Sequence, residues 1–236
     1  MRRAQSAGAK NPRPRLRRVA IKPGGTGARP YHHGDLREQL IAATEVLILE
    51  RGVDGFSLRE VARRAGVSPA APAHHFGDTK GLLSEVALLG FQEFGDALHA
   101  ADLSGGGDPA KRLRAQGMAY VTFALKNPAR FTLMFRHDKC DMTHEELGRA
   151  ADRSFNVLAG AIRAVSGLQP DAEMTPGASG LLMAVWSIVH GFSHLALGGE
   201  LDRPAQMRGG KDAILKSLLP LALEHLPLPA AKKKRS

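Results

Sequence analysis

The chain has 236 residues, enough for a domain of ordinary size plus a smaller one and for a substantial buried core. Its formal charge is +10, and its only cysteine is Cys140, which excludes an intramolecular disulfide and suits a reducing, cytoplasmic compartment. No uninterrupted apolar run approaches the ~18 residues of a membrane span, and none follows Arg2 and Arg3 as a secretory signal requires, so no membrane partner is expected.

The charge is concentrated at the ends. Residues 1–30 hold nine Lys or Arg and no acid, and Lys232, Lys233, Lys234 and Arg235 close the chain. Without these thirteen cations the formal +10 becomes −3, so the expected body is a mildly acidic globule between a basic arm (1–30) and a basic tail (227–236). The arm, with Pro and Gly throughout, has too little apolar surface to fold alone and is expected to be disordered. It reads either as a solubilising tail or as an arm drawn to phosphate and able to enter a minor groove. An organellar transit peptide fits less well, because Ser6 and Thr26 are the arm's only hydroxyl residues.

Beyond the arm the pattern is helical. Leu36, Leu40, Ile41, Leu47 and Ile48 repeat at helical spacing, and the run ends at Gly52. Ser57-Leu58-Arg59-Glu60 forms a capping box, with Glu60 placed to reach back to the Ser57 N–H. Leu58, Val61, Ala62 and Ala65 make the apolar face of the helix it starts; Gly66 supplies a turn, and Val67 packs the corner. Ser68 is then expected to cap a second short helix with Pro69 at its first position. Small Ala70 and Ala71 let that backbone approach bases, His74 and His75 are placed to donate to phosphates or base edges, and Phe76 anchors the end. Pro72 cannot make the first intrahelical bond, so this helix is expected to begin loosely or in a tighter 3₁₀ turn. Two such helices are either a helix-turn-helix, its second helix bound for a major groove, or a plain αα-corner.

Three later helices share one starting device, a capping residue before Pro: Asp108-Pro109, Asn127-Pro128 and Thr175-Pro176. With no hairpin signal, alternating strand or repeat, the fold class expected is all-α. The stretch "FRHDKCDMTHEE" gathers His137, Asp138, Cys140, Asp141, His144 and Glu145. It reads as a polar connector or as transition-metal ligands, and the latter founds a rival reading: a helical metal-binding protein or enzyme using His137, Cys140 and His144. His190 and His194 pose the same question at i and i+4, without the Glu of a metalloprotease motif. Cys140 also reads as a redox thiol that nothing nearby activates. No catalytic group, cofactor or resident metal is expected.

The segment "TPGASGLLMAVWSIVHGFSHLALGG" carries three stripes at 100° per residue. One is aliphatic (Leu181, Val185, Ile188, Phe192, Leu195), one small (Gly177, Gly180, Ala184, Ser187, Gly191, Gly198), and one mixed (Met183, Trp186, His190, Leu197). A helix without a clear polar face is expected to be buried on nearly all sides. The small stripe suits close approach by a second copy. Trp186 and His190 read either as ordinary core or as the wall of a ligand pocket. The pocket reading draws Met183, Phe131, Met134, Phe135 and Phe155 to the same place, with Met142 in reserve.

Residues 31–90 resemble the N-terminal domain of TetR-family transcriptional regulators. The likeness lies in Arg51-Gly52, the run Ser57 to Ala62, Ala65-Gly66-Val67-Ser68, and Ala73-His74-His75-Phe76-Gly77-Asp78-Thr79. Two positions depart from the family pattern: its phosphate-contacting Tyr is Ala73 here, and its Lys at the start of the fourth helix is Thr79, with Lys80 next. Trp186, His190 and Gly191, with "NPARFTLMFR" upstream, are similar to the Trp-His-Gly type of C-terminal domain in that family. The resemblance implies a helix-turn-helix DNA-binding domain at 31–90 and a helical effector-binding and dimerisation domain at 91–226. Its expected DNA contacts are Ser57, Ser68, Pro69, Ala70, Ala71, Ala73, His74, His75, Thr79 and Lys80. It also implies that the last two helices build the interface of a homodimer, adding Leu215 and Leu218 to the small stripe, with Pro220 kinking or ending the second of them. The partners expected are double-stranded DNA, an unknown small-molecule effector and a second copy of the chain.

Overall fold

The computed structural model describes residues 33–141, 143–210, 212–226 and 228. The basic arm, the basic tail beyond Leu228 and Met142 lie outside these residues. The described chain is helical, with no strand among the described residues: α1 (His33–Arg51), α2 (Leu58–Ala65), α3 (Ala71–Phe76), α4 (Thr79–Ser104), α5 (Pro109–Lys126), α6 (Pro128–Met134), α7 (Glu145–Val165), α8 (Pro176–Gly198), α9 (Asp202–Gln206) and α10 (Leu219–Glu224).

α1, α2, α3 and the start of α4 wrap one apolar core. Leu40, Leu47, Val61, Leu82 and Val86 are fully buried in it, each worth ~1.5–3 kcal/mol against exposure. The expected helix ends hold: Gly52 has φ 78°, and its N–H reaches the Ile48 carbonyl at 2.8 Å. Gly66, at φ 71°, closes α2, where Val67 N–H bonds the Ala62 carbonyl at 3.0 Å. The capping box forms by half. Ser57 Oγ accepts the Glu60 N–H at 3.4 Å, but the Glu60 carboxylate pairs with Arg51, because an arginine within reach attracts it more strongly than a neutral N–H.

α3 corrects the expectation at Ser68. The helix begins at Ala71, and no side chain caps it. Ala71 N–H donates to the Ser68 carbonyl at 3.0 Å, an i→i+3 bond, because the residue that would close a full α-turn on Ser68 is Pro72, which has no N–H. Pro72 is buried, facing the other helices rather than solvent.

α4 starts at an Asp78 cap (Oδ1 to Gly81 N, 2.8 Å) and runs unbroken past residue 90 into a second, larger core. There Phe94 and Leu98 meet Leu113 and Val121 of α5, Phe131 of α6, Ile162 of α7, Val185 and Val189 of α8 and Leu223 of α10. α5 approaches α10 closely at Gly117, where a Cβ would stand 2.7 Å from Leu223 Cδ2. The Pro devices open α5 and α8 as expected, Asp108 and Thr175 each accepting N–H groups from the first turn. At α6 the proline is in place, but the Asn127 side chain makes no cap bond.

One expectation is corrected at the C-terminal end and two others are sharpened. α8 is not buried on nearly all sides: its core stripe is Ala178, Leu182, Val185, Val189, Ser193 and Ala196, and Leu195 of the expected aliphatic stripe is 47% exposed. α8 is also long and apolar enough to cross a membrane, which the search for an unbroken apolar run missed because Gly, Ser and His interrupt it. Finally, of the two outcomes expected at Pro220, kinking or ending the last helix, ending does not occur. A π-turn at Ile214–Leu218 precedes α10, with Leu219 N–H on the Ile214 carbonyl, and the widened turn makes room for the proline ring.

Candidate nucleic-acid interface and ligand cavity

The first site is the outer surface of α2 and α3. Once Pro72 turns inward, Ser68, Pro69, Ala70, Ala73 and His74 are exposed, and Gly77, Asp78, Thr79 and Lys80 continue the surface onto α4. Ala71 is half-buried, as is His75, whose ring leans on Phe76 at 6.1 Å. Ser57 is exposed at the start of α2, while its Oγ is engaged in capping. Two residues the sequence reading missed stand beside these: Arg59 and Arg63, exposed and one turn apart on α2. Their neighbours are engaged, Arg64 with Glu50 (2.5 Å) and Arg51 with Glu60, whereas neither Arg59 nor Arg63 has an ion-pair or side-chain hydrogen-bond partner among the described residues. The sequence did not reveal this, because sorting free from paired arginines needs the helix orientations.

The second site is a cavity of about 660 Å³ inside the larger core. Phe91, Phe94 and Leu98 reach it from α4, Leu113, Gln116 and Tyr120 from α5, and Met183, Trp186 and His190 from α8. Of the residues expected here, Phe135, Phe155, Met183, Trp186 and His190 line it. Phe131 is fully buried one layer behind, its ring 5.7 Å from both Tyr120 and His190. Met134 faces a separate void of about 50 Å³ beside Cys140.

A polar cluster crosses the cavity wall. Trp186 Nε1–H donates to Tyr120 Oη at 3.3 Å, and Tyr120 Oη lies 2.8 Å from His190 Nδ1. Burial pushes the Tyr120 phenol upward, the Trp186 N–H opposing it, so the hydroxyl keeps its proton. Burial, and secondarily His194, lowers the pKa of His190. The Tyr120 O–H donates to Nδ1 in the Nε2–H tautomer of the neutral imidazole, and Tyr120 Oη accepts from Nδ1–H in the other. Tyr120 and Gln116 were missed in the sequence because their partners lie far along the chain.

The His/Cys/Asp loop is otherwise employed. Arg136 holds the Asp138 carboxylate through two 2.8 Å bonds, His144 Nδ1 caps α7 by accepting Leu147 N–H at 3.2 Å, and Asp141 accepts the Thr143 N–H and hydroxyl. Cys140 is buried, and burial, reinforced by Asp138, pushes its thiol up to about 11. Among the described residues no three His, Cys, Asp or Glu side chains gather as a metal site, which corrects the rival reading based on His137, Cys140 and His144.

The face of α8 opposite its core stripe is open. Gly177, Gly180, Ser187 and Gly191 are exposed and Ala184 half-exposed; a Cβ at Gly177, Gly180 or Gly191 would meet nothing within 4 Å. Leu215 and Leu218 are half-buried against the fold, while Leu221 of α10 is 42% exposed.

Two short helices joined by one long helix to a ligand-sized cavity form the architecture of a helix-turn-helix protein with a separate helical domain. Comparison with known proteins agrees. Residues 40–86 match the model for bacterial regulatory proteins of the tetR family, and residues 113–218 match that for the tetracyclin repressor-like C-terminal domain. The chain belongs to the TetR family of transcriptional regulators. It is 41% identical over 81 residues to the HTH-type transcriptional regulator BetI of Yersinia pestis, a match covering 34% of this chain and 40% of that protein. Among solved structures, a protein of unknown function from Rhodococcus sp. RHA1 is 32% identical with a TM-score of 0.64, covering 84% of this chain and 99% of that one. The TetR family transcriptional regulator PfmR from Thermus thermophilus shares the fold at 21% identity and a TM-score of 0.57, covering 83% and 97%.

Proposed function

We propose that the protein is a cytoplasmic, homodimeric regulator that binds a pseudo-palindromic operator through α3 and is released by an apolar small molecule, acting as a repressor. The observation that carries this reading is the dual role of α4: its cap, Asp78, adjoins the end of α3, and from about three and a half turns along it Phe91, Phe94 and Leu98 line the cavity. Arg130 of α6 supports the coupling, bridging Glu45 of α1 and Glu93 of α4 at 2.5 Å each, while Phe135, just beyond α6, lines the cavity. A ligand that pushes on Phe135 and α4 therefore bears on the elements that place α3. It releases DNA only in so far as it binds the released arrangement better.

On this reading residues 31–90 read DNA, residues 91–226 dimerise and bind the effector, and the arm 1–30 adds phosphate contacts that compensate for Ala73 and Thr79. Arg59 and Arg63 join the anchoring. The test is fluorescence anisotropy with the duplex upstream of the protein's own gene, a scrambled duplex, and protein with and without residues 1–30. Sequence preference retained without the arm is expected, with a shallower salt dependence, each lost phosphate contact taking roughly 0.9 from the slope. Equal binding of both duplexes, followed by no enrichment in selection from random duplexes, would overturn the reading in favour of a charge-driven DNA coater.

A further inference from the structure

Gln116, a residue of the cavity wall, carries a buried polar atom with no hydrogen-bond partner among the described residues. Gln116 is 2% exposed and lines the cavity from α5. Its Nε2 donates to Asp102 Oδ1 at 2.7 Å and makes a longer contact to the Val157 carbonyl at 3.4 Å. Arg112 grips the same carboxylate from the other side, Nε to Oδ1 at 3.0 Å and Nη2 to Oδ2 at 2.5 Å. With Arg112 donating to both oxygens, the carboxylate acts as an acceptor, and the Val157 carbonyl beside the amide also only accepts, so the amide nitrogen faces these two groups and its oxygen is the atom left over. That oxygen, Gln116 Oε1, is buried without a hydrogen-bond partner among the described residues. A buried acceptor left unpaired is costly, and one held in place by an ion pair between α4 and α5 is set to receive a donor.

The remaining wall defines what brings that donor. The Trp186 indole N–H donates to Tyr120 Oη, which also bonds His190 Nδ1, and most other lining groups are aromatic or aliphatic. Among the described residues no Lys or Arg lines the cavity, so an anion finds no lysine or arginine counter-charge there. Asp152 is exposed, and Asp102 is already neutralised by Arg112, so a cation finds no free carboxylate in the interior. Building on the effector reading above, we infer that the cavity takes an uncharged, largely apolar ring compound bearing one N–H or O–H group, which donates to Gln116 Oε1, and that it rejects carboxylates.

The test uses quenching of Trp186, the chain's single tryptophan, by 2-naphthol, 2-methoxynaphthalene and 2-naphthoate, with calorimetry for affinity. Expected is binding of 2-naphthol about tenfold tighter than its methyl ether, with naphthoate the weakest. In Gln116→Met that preference shrinks to within about twofold, while the ether binds much as before. Should this variant fail to fold, 2-naphthylamine on the unaltered protein replaces it and is expected to follow the naphthol. Equal binding of naphthol and ether, or tightest binding of naphthoate, would overturn the ligand class and leave the cavity standing. Absence of Trp186 quenching by every probe would sink the effector reading itself.

Discussion

His190 concentrates several demands in one side chain. It packs between Phe135 (ring centroids 4.7 Å apart) and His194 (4.6 Å), it meets Tyr120 through Nδ1, and its pKa is lowered, chiefly by burial. The unfolded chain, with histidine near its ordinary ~6.5, therefore binds a proton that the folded chain resists. In the window from ~6.5 down to the lowered value, the unfolded state carries more protons, so stability rises with pH and is lost as pH falls. The carboxylates with resolved shifts (Asp54, Asp138, Asp141 and Asp212) all move downward and titrate in a more acid range, which leaves the window to the histidine. The urea midpoint is expected to drop between pH 7 and pH 5, and His190→Gln to flatten that drop. A drop of unchanged size in the variant would assign the pH dependence elsewhere. The sequence offered His190 through its place beside Trp186 on one stripe; it could not offer Tyr120, 70 residues away, which bonds its Nδ1.

At the scale of helices, much was legible where one residue decides the outcome locally. Gly52 and Gly66 end helices because φ near +75° costs glycine little, and Asp108 and Thr175 start them because a short side-chain oxygen reaches the first turn. What was not legible depended on competition: Glu60 chose Arg51, the Ser68 carbonyl took Ala71 because Pro72 had nothing to donate, and α8 turned a different stripe inward. Glycines inside helices show the same division. At Gly90 of α4 a Cβ would stand 2.9 Å from Met134 Sδ and 3.2 Å from Arg130 Cβ, so α6 lies almost against the α4 backbone. At Gly160 of α7 it would meet nothing within 4 Å. Gly160→Ala is expected to stabilise by about 0.5–1 kcal/mol through helix propensity alone. Gly90→Ala is expected to lose that gain to overpacking and come out about 1–2 kcal/mol destabilising. It should also alter operator affinity, because it wedges apart the two helices that join the reader to the cavity. Urea titration of both variants checks the pair, and equal gains would show that α4 and α6 are free to separate.

For the whole molecule, the decisive surface is the open face of α8. Only 22% of the most apolar stretch of this helix is buried within one copy of the chain, an exposure too large for a core helix. Single exposed apolar residues need no explanation, but a contiguous glycine-rich apolar face does. Its small residues admit a second helix at close range, and Met183 stands out beside it, 48% exposed. Ser187 and Met183 border both this face and the cavity wall, so a second copy seated on α8 would stand next to the cavity. Two-fold pairing there would set two α3 helices to read half-sites about one helical turn apart. Gly180→Glu with Ala184→Glu puts two carboxylates on the seam; Cβ space at Gly180 is open, so folding of the single chain should survive. The expected result is a helical monomer by sedimentation and circular dichroism. Its operator affinity should fall by about a hundredfold or more, since the second half-site no longer binds as a linked event. A double variant that remains dimeric would place the seam elsewhere, whereas a monomer that still binds the full operator as tightly as the parent would break the link between dimerisation and recognition.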